Sequence, residues 1–264
     1  MFKWDSKLYM KFEEGRTLPA IDMAGHIGMN DYHKIIDIGC GPGNSTAEVV
    51  KHWPHASITG IDSSTTMLAE AKQRLPNIDF KPFDIAEDLS PLGSYDLVFS
   101  NAVIQWLPDH ENLIRRLADI VEVGGTLAIG MPNVNEMGIN HATQFAAKKH
   151  HVTGMQNHLT MMDIPNYYNY MVPYFEDMDF FEKHYYHILP SHEHIIEWYS
   201  CTGMKPYLDA IGLDAPGDED KIRDFKNTVL EEIKKCYPST SDGNVFLPFR
   251  RLFMIGHNRR THNS

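Results

Sequence analysis

The chain has 264 residues, of which 42% are hydrophobic and 22% are charged, and this is enough for one globular α/β domain with insertions. Its formal net charge of −11 repels phosphate backbones, so we expect no nucleic-acid partner. Its apolar runs are short and interrupted, whereas a membrane-spanning helix needs about 20 apolar residues, so we expect no contact with a membrane either.

Short β-branched runs alternate with helical patterns from about residue 34 to residue 130. The β-branched runs predict strands at 35–38, 57–61, 78–81, 97–100 and 126–129. The helical patterns lie at 45–52, 65–75 and 112–121, and each is followed by Pro or Gly. This alternation indicates an α/β fold with a Rossmann-like, doubly wound and mostly parallel sheet.

The alternation breaks in a segment at 132–178, which is rich in Met, Tyr, His and Asn. Such a helical insert either packs against the open edge of the sheet or covers a small-molecule site as a lid, and we favour the lid. After it, period-two alternation predicts a strand at 181–189, and Ser191 is placed to cap a helix that ends near Cys201. A helix at 218–237 and a strand at 245–255 close the chain, so we expect a seven-stranded sheet whose last strand is antiparallel.

The first sign of chemistry is the glycine-rich turn that follows the first predicted strand. Gly39, Gly41 and Gly43 allow the backbone to approach a ligand closely, and the next helix offers free N–H groups. A dinucleotide-binding turn has the spacing G-x-G-x-x-G, but the third glycine position of that pattern is Asn44 here, and Pro42 stiffens the turn. The spacing therefore favours a ligand that lies against the turn without phosphate groups.

Three aspartates lie on or directly after successive predicted strands. Asp62, 19 residues after Gly43, can accept hydrogen bonds from both hydroxyls of a ribose. Asp84 follows the third strand and can accept from an adenine amino group, while Asp37 lies in the first strand. One such aspartate is more often a helix cap or turn residue, but three beside this turn indicate an adenine nucleoside without a phosphate chain. S-adenosylmethionine is such a ligand, and an acidic site also suits its sulfonium.

At these segments the chain resembles the class I S-adenosylmethionine-dependent methyltransferases. The similar segments are 35–46, 60–64, 83–85 and 101–110. Within that class the chain is more similar to the trans-aconitate methyltransferases, because 185–192, 251–253 and Trp198 also match. The segment at 133–178 does not align with that family, and Arg250 stands where the family pattern has a proline.

The resemblance implies one methyltransferase domain at 1–264. Its parts are a helical cover at 1–30, a cofactor-binding core at 31–131, the insert at 132–178 and the acceptor side at 179–264. It also implies that S-adenosylmethionine contacts Tyr9, Asp37, Gly39, Gly41, Gly43, Asp62, Ser63, Asp84, Ile85, Asn101 and Trp106. Tyr9 and Trp106 are expected to wall the cofactor, although a Tyr or Trp at such a position is more often part of the core.

The resemblance further implies that the methyl acceptor is a small polycarboxylic acid, best matched by trans-aconitate, and that the product is its monomethyl ester. A carboxyl group with a pKa of about 4 is ionised at neutral pH, so the transfer needs no general base and we expect no catalytic residue. The acceptor-binding residues implied are Arg16, Gln105, Trp106, His187, Arg250 and Arg251. The alternative for each arginine is a solvated surface side chain, and the alternative for His187 is a structural histidine.

Other functions stay open on the sequence alone. A fatty-acid-like or acyl-carrier-bound carboxylate suits an apolar pocket, and Met, Phe and Tyr are frequent at 131–186. A non-catalytic cofactor-binding module is a second alternative, and a nicotinamide oxidoreductase is a third, which Asn44 disfavours. The histidines at 150–151 and 192–194 lack metal-binding spacing, so we expect no metal. Three dispersed cysteines and an N-terminus without an apolar segment predict a cytoplasmic protein.

Overall fold

The computed structural model describes residues 13–28, 30–153, 159–212 and 218–261. The α-helices in these ranges are α1 (Glu13–Ile27), α2 (Asn44–His52), α3 (Thr65–Arg74), α4 (His110–Asp119), α5 (Gly138–Lys149), α6 (Ile164–Met171), α7 (His192–Ser200), α8 (Lys205–Gly212) and α9 (Glu219–Cys236). The β-strands are β1 (Lys34–Ile38), β2 (Ser57–Asp62), β3 (Asp79–Pro82), β4 (Tyr95–Asn101), β5 (Val121–Pro132), β6 (Phe175–Leu189) and β7 (Val245–Arg259). Single 3₁₀ turns lie at Ser90–Leu92, Ile104–Trp106 and Val134–Glu136.

The seven strands form one sheet in the order β3-β2-β1-β4-β5-β7-β6. The strands from β3 to β5 pair in parallel, and β7 pairs antiparallel with β5. The prediction of a Rossmann-like, mostly parallel seven-stranded sheet with an antiparallel last strand is confirmed. The strand order reverses between β1 and β4, and in open α/β sheets ligands bind outside the carboxyl ends of the strands at such a switch point.

Strand β1 shows why this part of the chain forms the centre of the sheet. Ile35, Ile36 and Ile38 are fully buried, and a continuous apolar run is typical of a parallel strand covered on both faces. Asp37 is buried to the same degree, at 0% exposure. An ionisable side chain within an apolar strand marks this end of β1 as a candidate site, because ordinary core positions rarely hold one.

The described chain divides into two compact units. The first, which we call the sheet unit, takes in residues 13–132 and 162–182 and the chain from 251 onward, and its apolar core includes Phe99 and Ile255. The second, which we call the helical unit, takes in 133–161 and 183–250, and its core includes Ile195 and Val229. The predicted insert is therefore shared between the units, and the single-domain organisation stays a prediction.

Helix α4 and strands β4, β5 and β6 begin two or more residues earlier than the sequence predicts. Helix α4 begins at His110 because Asp109, with a φ of 54°, acts as its N-cap and accepts a hydrogen bond from the backbone N–H of Asn112. Strand β5 begins at Val121 because a bulge-like irregularity in its register with β4 accommodates the extra residues. The loop between β4 and α4 is consequently shorter than expected and ends at a residue with positive φ.

Candidate active site

The turn after β1 has a conformation that glycine adopts without strain. Gly39, Gly41 and Gly43 have φ angles of 66°, 54° and 86°. A Cβ atom at Gly39 would also lie only 2.4 Å from Cγ2 of Val103. The loop after β4 thus packs directly on the turn after β1, and the two form one surface at the carboxyl edge of the sheet.

The backbone N–H groups of this turn are engaged within the protein. Cys40 N–H donates to the carbonyl oxygen of Ile61 at 2.9 Å, and Gly43 N–H donates to the carbonyl oxygen of Cys40 at 3.0 Å. Gly41 N–H donates to Oδ2 of Asp62 at 2.9 Å. A pyrophosphate cradle needs such N–H groups for the ligand. The geometry therefore agrees with a ligand that lies against the turn without phosphates.

Asp62 lies at the end of β2 and joins that strand to the glycine-rich turn. Besides its bond from Gly41, it accepts at Oδ1 from the N–H of Ser64 at 2.8 Å. Burial raises the pKa of Asp62, and these two hydrogen bonds oppose the rise. Each carboxylate oxygen can accept more than one hydrogen bond, so Asp62 can bind the two hydroxyls of a ribose while it holds the turn.

Asp37 presents a buried acceptor atom close to the end of β1. Its Oδ2 accepts a hydrogen bond from Oγ1 of Thr46 at 2.7 Å, whereas its Oδ1 has no hydrogen-bond partner within the described ranges. Burial raises the pKa of Asp37 to about 7; the bond from Thr46 opposes this rise and the charge of Asp62 adds to it. A buried oxygen of this kind is suited to a donor that a ligand brings, because burial without a partner costs free energy.

The third aspartate is held next to Asp62. The backbone N–H of Phe83 donates to the carbonyl oxygen of Asp62 at 3.1 Å, which brings the ends of β2 and β3 together. Asp84 is half-buried, and its Oδ1 accepts from the backbone N–H two residues later at 2.9 Å. A carboxylate has acceptor sites beyond this one bond, so Asp84 can also accept from an amino group. Ser63 is half-buried and Ile85 is buried, and they flank these two aspartates along the chain.

The loop between β4 and α4 supplies two side-chain amides. Asn101 Nδ2 donates to Oγ of Ser45 at 3.1 Å, and Gln105 Nε2 donates to the carbonyl oxygen of Ala102 at 2.8 Å. The amide oxygens of Asn101 and Gln105 accept no hydrogen bond from any residue that the structure describes. Ala102 has a φ of 61°, and strain of this kind concentrates at functional sites. Trp106 is half-buried in the 3₁₀ turn that follows.

These side chains fit S-adenosylmethionine. Asp37 Oδ1 and Asn101 Oδ1 are acceptors without a partner in the described part of the chain. They belong to β1 and to the end of β4, and these two strands flank the switch point. The cofactor brings an ammonium group, two ribose hydroxyls and an adenine amino group, which are donors, together with a cationic sulfonium. A site rich in acceptor oxygens therefore matches its chemistry.

Two of the three predicted arginines are buried in the sheet unit. Arg16 on α1 is 6% exposed, and Arg251 on β7 is 5% exposed. Arg251 lies opposite Pro132 in the β5–β7 register and therefore at the carboxyl end of β5. Arg250 belongs to the helical unit, where it forms an ion pair with Glu136. A buried guanidinium is suited to binding a carboxylate through its planar fork, whereas the ion pair favours a structural role for Arg250.

Comparisons with known proteins identify the family. The family described as Methyltransferase domain matches residues 35–125. A trans-aconitate 2-methyltransferase from Rhodopseudomonas palustris (strain BisB18) is 35% identical over 260 residues, which cover 97% of this chain and 99% of the relative. Another from Methylobacterium nodulans is 37% identical over 268 residues, with 99% and 100% coverage. The chain belongs to the trans-aconitate 2-methyltransferase family.

Membership of this family makes the chain an S-adenosylmethionine-dependent methyltransferase, which confirms the predicted enzyme class and cofactor. Solved structures agree on the fold. The YcgJ protein from Bacillus subtilis has a TM-score of 0.56 at 13% identity and covers 92% of this chain and 99% of its own. Phosphoethanolamine N-methyltransferase 2 from Haemonchus contortus has a TM-score of 0.54 at 16% identity, with 90% and 52% coverage. At these identities the likeness concerns the fold alone.

His187 lies in the helical unit of this methyltransferase, among aromatic rings. Its ring centroid is 4.6 Å from that of Trp198, 5.8 Å from that of Phe249 and 6.3 Å from that of Tyr185. This packing favours the structural histidine that the sequence left as an alternative, and a role in acceptor binding stays a prediction. The predicted cofactor residue Tyr9 lies outside the described residues.

Within the described ranges, no group of three or more His, Cys, Asp or Glu side chains is arranged to hold a metal ion. No helix in the part of the chain that the structure describes has the length and hydrophobicity to cross a membrane. The expectation that the enzyme needs no metal stays a prediction.

Sequence analysis missed four residues that shape this site. Val103 packs on the glycine-rich turn, Thr46 donates to Asp37, and His110 and Tyr167 hydrogen-bond to each other. Thr46, Val103 and His110 lie inside the segments that carry the family resemblance, so their position was a signal that could have found them. Tyr167 lies at 132–178, where the sequence alone shows no motif that singles it out. The expectation that this segment does not align with the family is wrong, because the relatives match 97–99% of the chain and their alignments therefore span it.

Proposed function

We propose that this methyltransferase uses S-adenosylmethionine to esterify one carboxylate of trans-aconitate. Relatives named trans-aconitate 2-methyltransferase support the proposal, because they are 34–37% identical over nearly the full length of the chain. The buried arginines of the sheet unit support it independently. The products are then a monomethyl ester and S-adenosylhomocysteine.

The observation that carries the proposal is Arg251, a cation that is 5% exposed at the end of β5. The planar fork of a buried guanidinium can bind an ionised carboxylate through two parallel charge-assisted hydrogen bonds. A buried arginine favours an ionised, polar acceptor over the apolar chain of a fatty acid. Arg16, which is 6% exposed, offers a polycarboxylate a second cation.

We assign the cofactor to the acceptor oxygens of the sheet unit. S-adenosylmethionine supplies an electrophilic methyl group on its sulfonium when it is bound. We assign Asp62 to the ribose hydroxyls and Asp84 to the adenine amino group, as their positions at the ends of β2 and β3 support. Asp37 and Asn101 offer buried oxygens to the ammonium group, as their lack of described partners supports.

The remaining task of the protein is to hold the acceptor. Arg251 and Arg16 bind its carboxylates, Gln105 orients the reacting group through its amide, and half-buried Trp106 limits the access of water. A carboxyl group with a pKa of about 4 is already ionised at neutral pH, so no side chain has to remove a proton. The rate then depends on the alignment of the carboxylate oxygen with the methyl group and on electrostatics.

The test is transfer of labelled methyl from S-adenosylmethionine to trans-aconitate, with cis-aconitate and a long-chain fatty acid measured in parallel. We expect fast, base-labile labelling of trans-aconitate, because esters hydrolyse in base. Labelling of the fatty acid alone would contradict the proposal and support the apolar acceptor that the sequence left open. Binding of S-adenosylhomocysteine without labelling of any of the three acids would contradict the acceptor and leave the enzyme class unchanged.

Two further expectations belong to this proposal. A cytoplasmic location is supported by Cys40, Cys201 and Cys236, none of which forms a disulfide. The expectation that no nucleic acid binds is supported by the formal net charge of −11. Fractionation of cells with an antibody against the protein tests the first, and a gel-shift assay at low salt tests the second.

A further inference from the structure

A buried histidine lies directly after the loop that carries Gln105 and Trp106. His110 is the first residue of α4 and is 1% exposed. Its Nε2 lies 2.8 Å from the carbonyl oxygen of Ile104, and its Nδ1 lies 2.8 Å from the hydroxyl oxygen of Tyr167. The histidine thus connects the loop after β4 to α6, a helix of the insert.

The chemistry of these atoms fixes the direction of each hydrogen bond. The carbonyl oxygen of Ile104 can only accept, so Nε2 of His110 carries the hydrogen. Nδ1 of the neutral ring then accepts from the hydroxyl of Tyr167, because at 2.8 Å it is nearer and a stronger acceptor than Sδ of Met131, which lies 3.5 Å from the same hydroxyl. The hydroxyl oxygen accepts in turn from the backbone N–H of Met162 at 3.1 Å. Burial lowers the pKa of His110, which agrees with a neutral ring in this tautomer.

The bonded carbonyl belongs to the turn on which acceptor binding is proposed to depend. Ile104 is the first residue of the 3₁₀ turn, and its carbonyl oxygen also accepts from the N–H of Leu107 at 3.0 Å. The loop has a positive φ near each end, 61° at Ala102 and 54° at Asp109. Strained backbone persists only where its surroundings hold it, so this loop needs support from outside itself.

We propose that His110 and Tyr167 form a positioning pair that holds the turn at 104–106 and thereby places Gln105 and Trp106 for the methyl acceptor. The inference rests on the proposed function for the roles of Gln105 and Trp106. Neither His110 nor Tyr167 takes part in the reaction; they act through the turn. The pair also gives the segment at 132–178 a defined task, because Tyr167 comes from it and is 0% exposed.

The kinetic test uses Tyr167→Phe, which removes the hydroxyl and keeps the ring. The matched control is Tyr168→Phe on the same helix, since Tyr168 is 45% exposed. We expect kcat/KM for trans-aconitate to fall about tenfold in Tyr167→Phe, because misplaced reacting groups lose rate. Affinity for S-adenosylhomocysteine should stay within about twofold, and Tyr168→Phe should match the parent enzyme.

The second test does not depend on the acceptor. Hydrogen exchange is measured on the peptide that spans 103–108, where the amides of Trp106 and Leu107 donate within the turn at 3.0 Å. We expect faster exchange of this peptide in Tyr167→Phe than in Tyr168→Phe. His110→Gln, which keeps a side-chain N–H donor, should restore slow exchange relative to His110→Ala. Nitrogen NMR of His110 should show a neutral ring protonated at Nε2, with an Nδ1 signal that moves in Tyr167→Phe.

These measurements separate the inference from the proposed function. If the parent enzyme methylates no tested acid but the exchange results hold, the acceptor is wrong and the positioning pair stands. Unchanged exchange at 103–108 in Tyr167→Phe would overturn the pair whatever the acceptor is. Equal losses of cofactor affinity and acceptor kcat/KM, together with a lower Tm, would also overturn it and leave Tyr167 a purely structural residue.

Discussion

The carboxyl edge of the sheet unit carries opposite charges at its two ends. At the β1–β2 end, Asp37 and Asp62 are carboxylates whose pKa values are raised by burial. At the β5–β7 end, Arg251 is a buried guanidinium opposite Pro132. The strand order places β4 and β5 between β1 and β7, so with about 4.8 Å between strands Arg251 lies roughly 14 Å from Asp37 on β1 and roughly 19 Å from Asp62 on β2.

This difference matches the two molecules that a carboxyl methyltransferase has to hold. The cofactor is a cation rich in hydrogen-bond donors, whereas the acceptor is an anion. Carboxylates at one end and a guanidinium at the other provide complementary charge for each molecule. The separation predicts that a substitution at the β1–β2 end changes the affinity for the cofactor alone, and that a substitution at the β5–β7 end changes the affinity for the acceptor alone.

The largest effect is expected for Arg251→Ala. We expect KM for trans-aconitate to rise about 100-fold, because truncating one partner of a buried charge pair costs about 2–5 kcal/mol. The control is Arg250→Ala, since Arg250 is ion-paired with Glu136 and its side chain is 29% exposed. Steady-state kinetics and calorimetry with S-adenosylhomocysteine check both variants.

Arg251→Lys distinguishes the contribution of the positive charge from that of the planar guanidinium. It also serves as a control in case Arg251→Ala does not fold. It keeps the cation but loses the planar fork, so we expect an intermediate KM and an unchanged Tm. An equal rise in KM for the Arg250 and Arg251 variants would contradict the assignment. A loss of cofactor affinity in Arg251→Ala would also contradict it, because the β5–β7 end would then affect the binding of the cofactor as well as that of the acceptor.

Gly39→Ala tests the contact between the glycine-rich turn and the loop after β4. It combines a strained φ of 66° with a Cβ that would lie 2.4 Å from Val103. We expect the free energy of unfolding to fall by about 2–3 kcal/mol, from backbone strain and overpacking together, and cofactor affinity to fall with it. Chemical denaturation and calorimetry measure the two quantities.

Gly41→Ala is the matched control for this substitution. Gly41 has a φ of 54°, but apart from its chain neighbours no described residue has a heavy atom within 4 Å of the position that a Cβ would take there, so the variant should lose only the backbone-strain contribution of about 1–2 kcal/mol. Val103→Ala in the Gly39→Ala background should restore part of the stability. Equal losses at Gly39 and Gly41, with no restoration, would mean that the packing of Val103 on the turn is unimportant.

The elements that form the β1–β2 end of this edge can be predicted from the sequence, because the signals for them are local. A strand, a glycine-rich turn and an aspartate at the next strand end lie within 28 residues, from Ile35 to Asp62, and each follows from backbone conformation or strand order. The lack of a described hydrogen-bond partner for Oδ1 of Asp37 cannot be predicted from a local signal. It depends on which side chains surround it in the folded state, and no pattern of apolar residues encodes that.

The β5–β7 end of the edge is harder to predict, because its features also depend on which side chains meet in the folded state. Arg250 and Arg251 are neighbours with the same chemistry, and adjacent side chains on a strand point to opposite faces. Which one is buried depends on the register of β7 against β5, where Arg251 pairs with Pro132. Tyr167 reaches His110 across 57 positions of the chain, and no local pattern in the sequence links the two residues.

Asp37→Asn gives a smaller effect that depends on pH. Burial raises the pKa of Asp37 to about 7, so the folded state favours the protonated form. Its contribution to stability is therefore full below about pH 4, the ordinary range of an aspartate, and is lost as the pH rises through about 7. An asparagine mimics the protonated side chain and removes this loss.

We therefore expect the stability advantage of Asp37→Asn over the parent protein to grow by on the order of 2 kcal/mol between pH 5 and pH 7.5. Thermal unfolding of the cofactor-free protein across this range measures the difference. Affinity for S-adenosylhomocysteine should fall in the same variant, because the carboxylate charge is lost. A stability difference that does not change with pH would contradict the raised pKa.

The smallest effect, and the sharpest separation of ligand binding from fold, is expected at Asp62. Asp62→Asn should weaken S-adenosylhomocysteine about tenfold in calorimetry, since it loses charge-assisted bonds to the ribose. Asp96→Asn is the matched control, because Asp96 also brackets two backbone N–H groups, those of His33 and Lys34, at 2.6 and 2.9 Å. Asp96 acts at the amino end of β1, so its variant should lose similar stability but no cofactor affinity.

The comparison of Asp62→Asn with Asp96→Asn decides whether Asp62 binds the cofactor or only stabilises the glycine-rich turn. If Asp62→Asn and Asp96→Asn lower Tm alike and only the first weakens the cofactor, Asp62 is a ligand as well as a brace for the turn. If the cofactor binds both variants equally well, Asp62 is only a brace. The acidic character of the β1–β2 end would then serve the fold of the turn, and Asp37 and Asp84 would remain as its candidate ligands.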